Sequence, residues 1–465
     1  MIGVVGGTAA GLAAAYGLTE RGHDVRVFEP SDRLGGIAAT TAADGTGGDP
    51  LERVPVSFVR PRDEAAIDLL ADLGLADRLE WRPTRTAMYV DGTVHPVDAP
   101  WEFLAYPPLS LSDTARLATL QSGIDRRGFT RRRPRFDAYD PAAYADVPAE
   151  AFVREHAGDA VYERFYGPLL AARFGDRAST VSAAWVLEHC RGERERTRFG
   201  REYRGQFADS SAVLVDALAD AIGRERIVTN ARVTALEGAT GDRDATAGDG
   251  SDRLESLTVE RDGVRETYPV DAVVLASATD RHPGLTRFEP PVPVRTRTCV
   301  RVSTTAETPL TDAYRVTMVD DAPFGELVTP TVLGSSERDD GHRYCLLDGG
   351  AAADRSSATV ERRWLEALAT RFARFDRNDL AGIETTRIRQ PVPERGTAVG
   401  VTTPVAASTG GRTTVLADGV YGAGPACQRQ FPERSVGAAL ETGLTCGMRV
   451  ADELSGVSKR QSASH

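Results

Sequence analysis

Ile2-Gly3-Val4-Val5-Gly6-Gly7-Thr8-Ala9-Ala10-Gly11, carried on to Val25-Arg26-Val27-Phe28-Glu29, is the stretch that decides the fold. Ile2 to Val5 reads as a short buried strand, Gly6-Gly7 as the turn behind it, and Ala9 to Arg21 as a helix rich in small residues. Gly22-His23-Asp24 stops that helix, and Val25 to Phe28 is a second buried strand. Gly6 permits the tight turn, while Gly11 and the alanines around it let helix close on sheet. The helix N-terminus, with free N–H groups and the positive end of its dipole, suits a pyrophosphate. Glu29 lies eighteen residues past Gly11 (29 − 11), where a carboxylate accepts hydrogen bonds from a ribose diol. These features predict a βαβ dinucleotide-binding unit, and the acid favours FAD or NAD over a 2′-phosphorylated cofactor. Thr8 fills the slot of the second glycine. Its bulk would hold phosphates off, or its hydroxyl would bond a phosphate oxygen; the sequence leaves both open.

The chain of 465 residues is long enough for two domains. A formal charge of −11 offers nothing to nucleic acid. Lys459 is the only lysine, so nearly every cation is an arginine. Five scattered cysteines without C-x-x-C spacing argue against a disulfide framework or a metal site and fit a reducing cytoplasm. The apolar start lacks the basic residues of a signal peptide. No apolar run reaches the eighteen or so residues of a membrane span.

Further along, Arg60 to Glu80 has helical spacing, and Met88 to His95 reads as a hairpin turning at Asp91-Gly92. Helical patterning covers Ala142 to Leu187, Ala212 to Ile222, and Val360 to Phe375. Strands are expected at Ile227 to Thr229, Arg232 to Leu236 and Asp271 to Ser277, with a polar hairpin tip at Gly238 to Asp252. Ala38 to Pro50 reads as an exposed excursion. The end is strand, turn and helix, from Gly419 to Gly424 and from Ser435 to Leu454, with a disordered tail past Ser455. His189-Cys190 invites a nucleophile, yet adjacent helical residues point about 100° apart, so a packed Cys190 is the default. The arginine run Arg126 to Arg135 reads as a solvated loop before a docking site. Trp101 to Tyr106 suits core packing or a lipophilic surface equally. No G-x-S-x-G, H-E-x-x-H or Walker pattern occurs.

The extension Asp32-Arg33-Leu34-Gly35-Gly36 makes the opening unit resemble the N-terminal FAD motif of the flavin amine oxidase superfamily. That group includes protoporphyrinogen oxidases, phytoene desaturases and monoamine oxidases. Asp91 to Pro96, Pro108 to Leu111, Tyr166 to Leu170 and Val181 to Trp185 are similar to the substrate domain of protoporphyrinogen-oxidase-like proteins. By the resemblance, Arg33, Gly35 and Gly36 lie along the pyrophosphate and ribityl chain. Val233 contacts the adenine through its backbone, Ala276 belongs to the returning strand near the cofactor, and Gly424 precedes the final helix. Ser435 and Val436 would open that helix toward the flavin pyrimidine ring. The chain departs from the pattern at Thr8, at Pro425 where an aspartate is usual, and in Glu52 to Ser57 and Phe207 to Ser211.

The resemblance implies an α/β fold: an FAD-binding Rossmann-like domain of the amine oxidase and glutathione reductase type, with an inserted α+β substrate domain. Residues 1–58, 205–288 and 399–455 would form the FAD domain, 59–204 and 289–398 the substrate domain, and 456–465 a disordered tail. It implies an FAD-dependent two-electron oxidation of a small or lipophilic organic substrate, with no obligatory catalytic side chain. A sugar-nucleotide isomerase resembling UDP-galactopyranose mutase and a non-catalytic relative with weakened FAD binding are the alternatives. The expected partner is a small molecule and the expected location cytoplasmic. Peripheral membrane contact and the oligomeric state stay open.

Overall fold

The computed structural model describes residues 1–41, 51–52, 54–60, 62–122, 124–125, 133–134, 141–194, 201–208, 210–238, 254–277, 282–288, 294–334, 341–392, 394, 414–424, 427 and 436–462. The opening residues fold as their pattern requires. Ile2–Val5 is strand β1, Ala9–Glu20 helix α1 and Val25–Phe28 strand β2. Val4, Val27 and Val274 have no exposed surface, as expected for parallel strands covered on both faces. β1 pairs in parallel with β2 on one side and with Ala272–Leu275 on the other. The six-stranded sheet runs Ile227–Val228, β2, β1, Ala272–Leu275, Val420–Gly422, Thr414–Ala417, and only the last pairing is antiparallel. Chain order reverses direction across β1, the place where such sheets take ligands.

Helix α1 is lined with Ala13, Ala14 and Ala15, all fully buried. Its small face receives the C-terminal helix, Val436–Ser462. A Cβ on Gly443 would stand 2.0 Å from the Ala10 carbonyl oxygen, and one on Gly447 2.2 Å from that of Ala14. The contacts advance four residues on both helices, so the two run parallel and nearly touch backbone to backbone. The C-terminal helix begins more than a turn before α1 does, an overhang of roughly 6–9 Å.

A seven-stranded sheet forms the second layer, in the order Leu380–Pro391, Val294–Thr304, His342–Leu347, Glu326–Val328, Arg315–Met318, Thr86–Val90, Thr93–Pro96. The parallel pairing of Arg315–Met318 with Thr86–Val90 joins the two insertions. The hairpin turns where expected, with φ 51° at Asp91 and 74° at Gly92, the two left-handed positions of a tight turn. One face packs Val300, Val302, Val316, Leu327, Tyr344 and Leu346 beneath Val360, Trp364 and Leu368 of helix Ser357–Arg371. On the other face lie Cys299, Val328, Cys345 and Leu347, with Tyr314 and, from the nucleotide domain, Val54.

Four sequence expectations need correction. Helix Glu64–Asp72, placed with the substrate domain by the boundary at 58/59, buries Ile67, Leu69 and Leu70 in the nucleotide-domain core. The boundary at 204/205 cuts strand Glu202–Phe207, which pairs with Phe58–Arg60 and Leu79–Thr84. At the start of the expected excursion Ala38 and Ala39 are buried, and Ser211 Oγ donates to the Ala38 carbonyl (3.1 Å); residues 42–50 lie outside the described residues. The final helix continues to Ser462, past the expected end at Ser455; the segment contains no proline, and a lone Gly456 costs a helix only about 1 kcal/mol. No helix among the described residues is long and apolar enough to cross a membrane.

Candidate functional site

The turn between β1 and α1 is held by backbone. Gly6 has φ 107°, open only to glycine without strain, and a Cβ there would meet Ser277 at 2.4 Å. A Cβ on Gly11 would meet the Gly6 carbonyl oxygen at 1.9 Å, so the helix rides directly on the turn. The first helical N–H groups, those of Ala9 and Ala10, have no acceptor within the helix.

Thr8 resolves differently from either expectation. Its hydroxyl donates to the Ala276 carbonyl (2.7 Å) and accepts the Gly11 N–H (3.2 Å). It therefore caps α1 and ties it to strand Ala272–Leu275, with its only proton already committed away from any phosphate. The bulk lies toward Gly36, where a Cβ would stand 3.1 Å from the Thr8 methyl. Gly35 and Gly36, at φ 99° and 62°, let that loop fold across the turn, and Gly35 N–H donates to the Gly7 carbonyl (2.7 Å).

Glu29 is buried, 4% exposed. Its Oε2 accepts the Gly7 N–H (2.8 Å), and its Oε1 accepts both the N–H (3.0 Å) and the hydroxyl (2.6 Å) of Ser31. These three donors fix the carboxylate's orientation. Ser31 was not singled out from sequence; a serine two residues after the acid is the signal that could have found it. Arg33 is exposed, with Nη1 3.4 Å from the Thr40 carbonyl.

The distant segments converge on this turn. Ala276 N–H donates to Val5 (2.9 Å). Gly424, at φ 96°, places its Cα beside Ala10, and its N–H donates to Thr442 Oγ1 (3.3 Å). Val436 opens the C-terminal helix and is buried. Val233 is buried on strand Arg232–Glu237, with its carbonyl accepting from His282 Nδ1 (3.0 Å), two residues past Ala231, whose N–H donates to the Glu29 carbonyl. Ser435, Pro425 and Asp209 lie outside the described residues.

The substrate sheet presents a different chemistry. Arg297, Arg301, Arg315 and Glu326 alternate onto the face that carries Cys299 and Val328. Glu326 has no exposed surface and contacts Arg173 Nε (3.3 Å), Arg315 Nη1 (3.3 Å) and Arg297. Burial pushes its pKa up, but the three guanidinium groups outweigh burial and hold it at about 2. Arg295, beside them, bonds the carbonyls of Gly349 and Arg173; burial and the Arg297 charge lower its pKa to about 10. Where this face meets the nucleotide domain, Ser57 Oγ lies 3.3 Å from Tyr314 Oη and accepts from Arg204 Nη1 (2.8 Å). Apart from Ser57, which belongs to the departing segment Glu52 to Ser57, none of these side chains was singled out from sequence, since the contacts are made between separate strands and helices.

Other candidates fall to packing. Cys190 is buried against Tyr166 Oη (3.2 Å), while His189 stacks on Trp185. Phe103 and Tyr106 are buried, whereas Trp101 and Leu104 are exposed. The run Arg126 to Arg135 lies outside the described residues except for Arg133-Pro134. A cleft of about 420 Å³ between Arg85, Val94, Leu310, Asp312 and Arg374 contains none of the expected cofactor residues.

A family model described as flavin containing amine oxidoreductase matches residues 9–451. Coproporphyrinogen III oxidase of Mycobacterium bovis (strain ATCC BAA-935 / AF2122/97) is 35% identical over 187 residues, which span 38% of this chain and 38% of that protein. The flavin-dependent L-tryptophan oxidase RebO of Lentzea aerocolonigenes is 35% identical over 126 residues, 27% of this chain and 26% of the relative. Cyclohexylamine oxidase from Brevibacterium oxydans IH-35A has the same fold, with a TM-score of 0.64 at 18% identity, covering 98% of this chain and 99% of that one.

Proposed function

This chain belongs to the flavin containing amine oxidoreductase family, and we propose from that premise that it oxidises a carboxylate-bearing organic substrate by two electrons. Oxidoreductase chemistry and the FAD cofactor come with the family; the substrate class is the new part. The residues present fit the cofactor. Ala9 and Ala10 N–H would hold the pyrophosphate, Glu29 the adenosine ribose, and Ala276, Gly424 and Val436 would meet the flavin half across β1. When bound, the flavin takes up the two electrons, which leaves the side chains to bind and orient.

The observation that carries the substrate class is the arginine-bearing sheet face, turned toward segment 54–57 of the nucleotide domain. Arg173, Arg297 and Arg315 are engaged with Glu326, so what this face offers a carboxylate is the positive field of its guanidinium cluster. Val328, Leu333, Leu347 and Val54 give the same face an apolar floor that excludes water. Coproporphyrinogen III and L-tryptophan, the substrates named in two relatives, both carry carboxylates. The isomerase alternative has no separate support, because the arginine run on which its sugar-phosphate specificity would rest lies almost wholly outside the described residues.

The test begins with the visible spectrum. The purified protein should carry bound flavin, and Glu29→Ala should weaken it. Aerobic turnover of coproporphyrinogen III, followed by porphyrin fluorescence, is then compared with peroxide release from L-tryptophan and from cyclohexylamine. Oxidation of the amine but of neither acid would refute the proposed substrate class.

A further inference from the structure

Arg62 stands between strand Phe58–Arg60 and helix Glu64–Asp72, with 16% of its side chain exposed. Its Nη1 lies 3.9 Å from Glu202 Oε1, a charge contact too long for a hydrogen bond. Its Nε and Nη2 are buried and have no acceptor among the described residues. Those two nitrogens share one edge of the guanidinium plane, and their parallel N–H groups match the two oxygens of a carboxylate. Leaving both unmet is costly, since each buried donor without a partner forfeits about 1–3 kcal/mol, more on a charged group.

Glu202 also contacts Arg204, which is 6% exposed and closer to it than Arg62 is. Arg204 is also committed to Ser57 and lies over the Tyr314 ring, 4.5 Å from its centroid. The next residue, Asp63, accepts the Val59 N–H (2.7 Å), and its Oδ1 would stand 2.6 Å from a Cβ on Gly437, in the first turn of the C-terminal helix. Arg62 therefore stands next to the residue that meets the overhang of that helix, and across Glu202 from Arg204, which reaches Tyr314.

We infer that Arg62 is the fork that receives a carboxylate of the substrate, with Arg204 and Glu202 setting its position. This rests on the substrate class proposed above and names the residue that would read it. Because Nε and Nη2 are buried, the fork meets a substrate only after a rotamer change of Arg62.

The test uses the FAD-loaded protein and three probes: benzoate, coproporphyrin III, and the tetramethyl ester of coproporphyrin III. Binding is read from perturbation of the flavin absorption bands. Arg62→Gln should weaken both acids about 10- to 100-fold and leave the ester unchanged. Arg62→Lys keeps the charge and loses the fork, so it should recover only part of the affinity. If Arg62→Gln does not fold, as judged by flavin content and melting, the lysine variant carries the comparison. Equal weakening of acid and ester, unchanged acid binding in the folded variants, or no saturable binding of either acid to the wild type would each overturn the inference. Benzoate binding that depends on Arg62 without any oxidation of coproporphyrinogen III or L-tryptophan would instead count against the proposed substrates and leave the fork standing.

Discussion

The two layers of this molecule solve the handling of charge in opposite ways. Around β1 and α1 recognition is built from backbone: glycines that admit close approach, helix N–H groups without internal acceptors, and one buried carboxylate held by Gly7 and Ser31. Across the substrate sheet it is built from side chains, with Glu326 enclosed by Arg173, Arg297 and Arg315. The first arrangement tolerates no added atom. The second tolerates no removed charge. Substitutions should therefore fail for different reasons in the two places.

The largest expected effect is in the sheet. Glu326→Gln leaves three buried guanidinium groups without their shared anion and should cost about 3–5 kcal/mol, measured by urea unfolding. The same residue sets an acid limit. Its pKa of about 2 lies below the ordinary 4.5 of a glutamate, so its contribution is complete above about pH 4.5 and is lost as pH falls toward 2. A Glu326→Gln variant should show a flatter stability profile across that window; an identical profile would mean the ion cluster is not what acid disrupts.

Next comes Gly11→Ala. The added methyl would sit 1.9 Å from the Gly6 carbonyl oxygen, a backbone atom that cannot rotate away. About 1–3 kcal/mol of overpacking is expected, with loss of bound flavin read from the visible to ultraviolet absorbance ratio. A yellow, stable Gly11→Ala protein would break the contrast between the layers. Thr8→Ala is smaller, about 1 kcal/mol for the lost cap, and Thr8→Ser should restore most of the melting temperature because the hydroxyl's two bonds survive. Least is expected of Asp452→Asn, which removes the exposed partner of Arg21. Its effect should stay within about 0.5 kcal/mol.

The same contrast explains what was legible in the sequence. The nucleotide-binding unit is local: Gly6, Gly11 and Glu29 fall within thirty residues, and each answers a steric or hydrogen-bonding need that only its residue type meets. Ala276 and Gly424 were reached by family resemblance and lie against the turn, whereas Val436 opens the C-terminal helix. Thr8 was half legible, since its identity announced a departure but its rotamer, which points the hydroxyl at Ala276, depends on a strand 268 residues away. Arg62, Arg204 and Tyr314 gave no local signal. In a chain whose cations are almost all arginines, one buried guanidinium looks like any exposed one until the sheet register pairs it. Helix Glu64–Asp72 was assigned to the wrong layer for a related reason: its apolar spacing shows that one face is buried but not against what.

The close contact of Gly443 with Ala10 and of Gly447 with Ala14 has a bearing on how the protein is made. The wall of the nucleotide site that α1 cannot supply for itself arrives more than four hundred residues later in the chain. During synthesis the opening βαβ unit waits with its alanine-lined flank uncovered, and cofactor capture belongs to the last stage of folding rather than the first. A nascent chain stalled before residue 436 should therefore accumulate as an unloaded intermediate dependent on chaperones, however complete its first domain looks on paper.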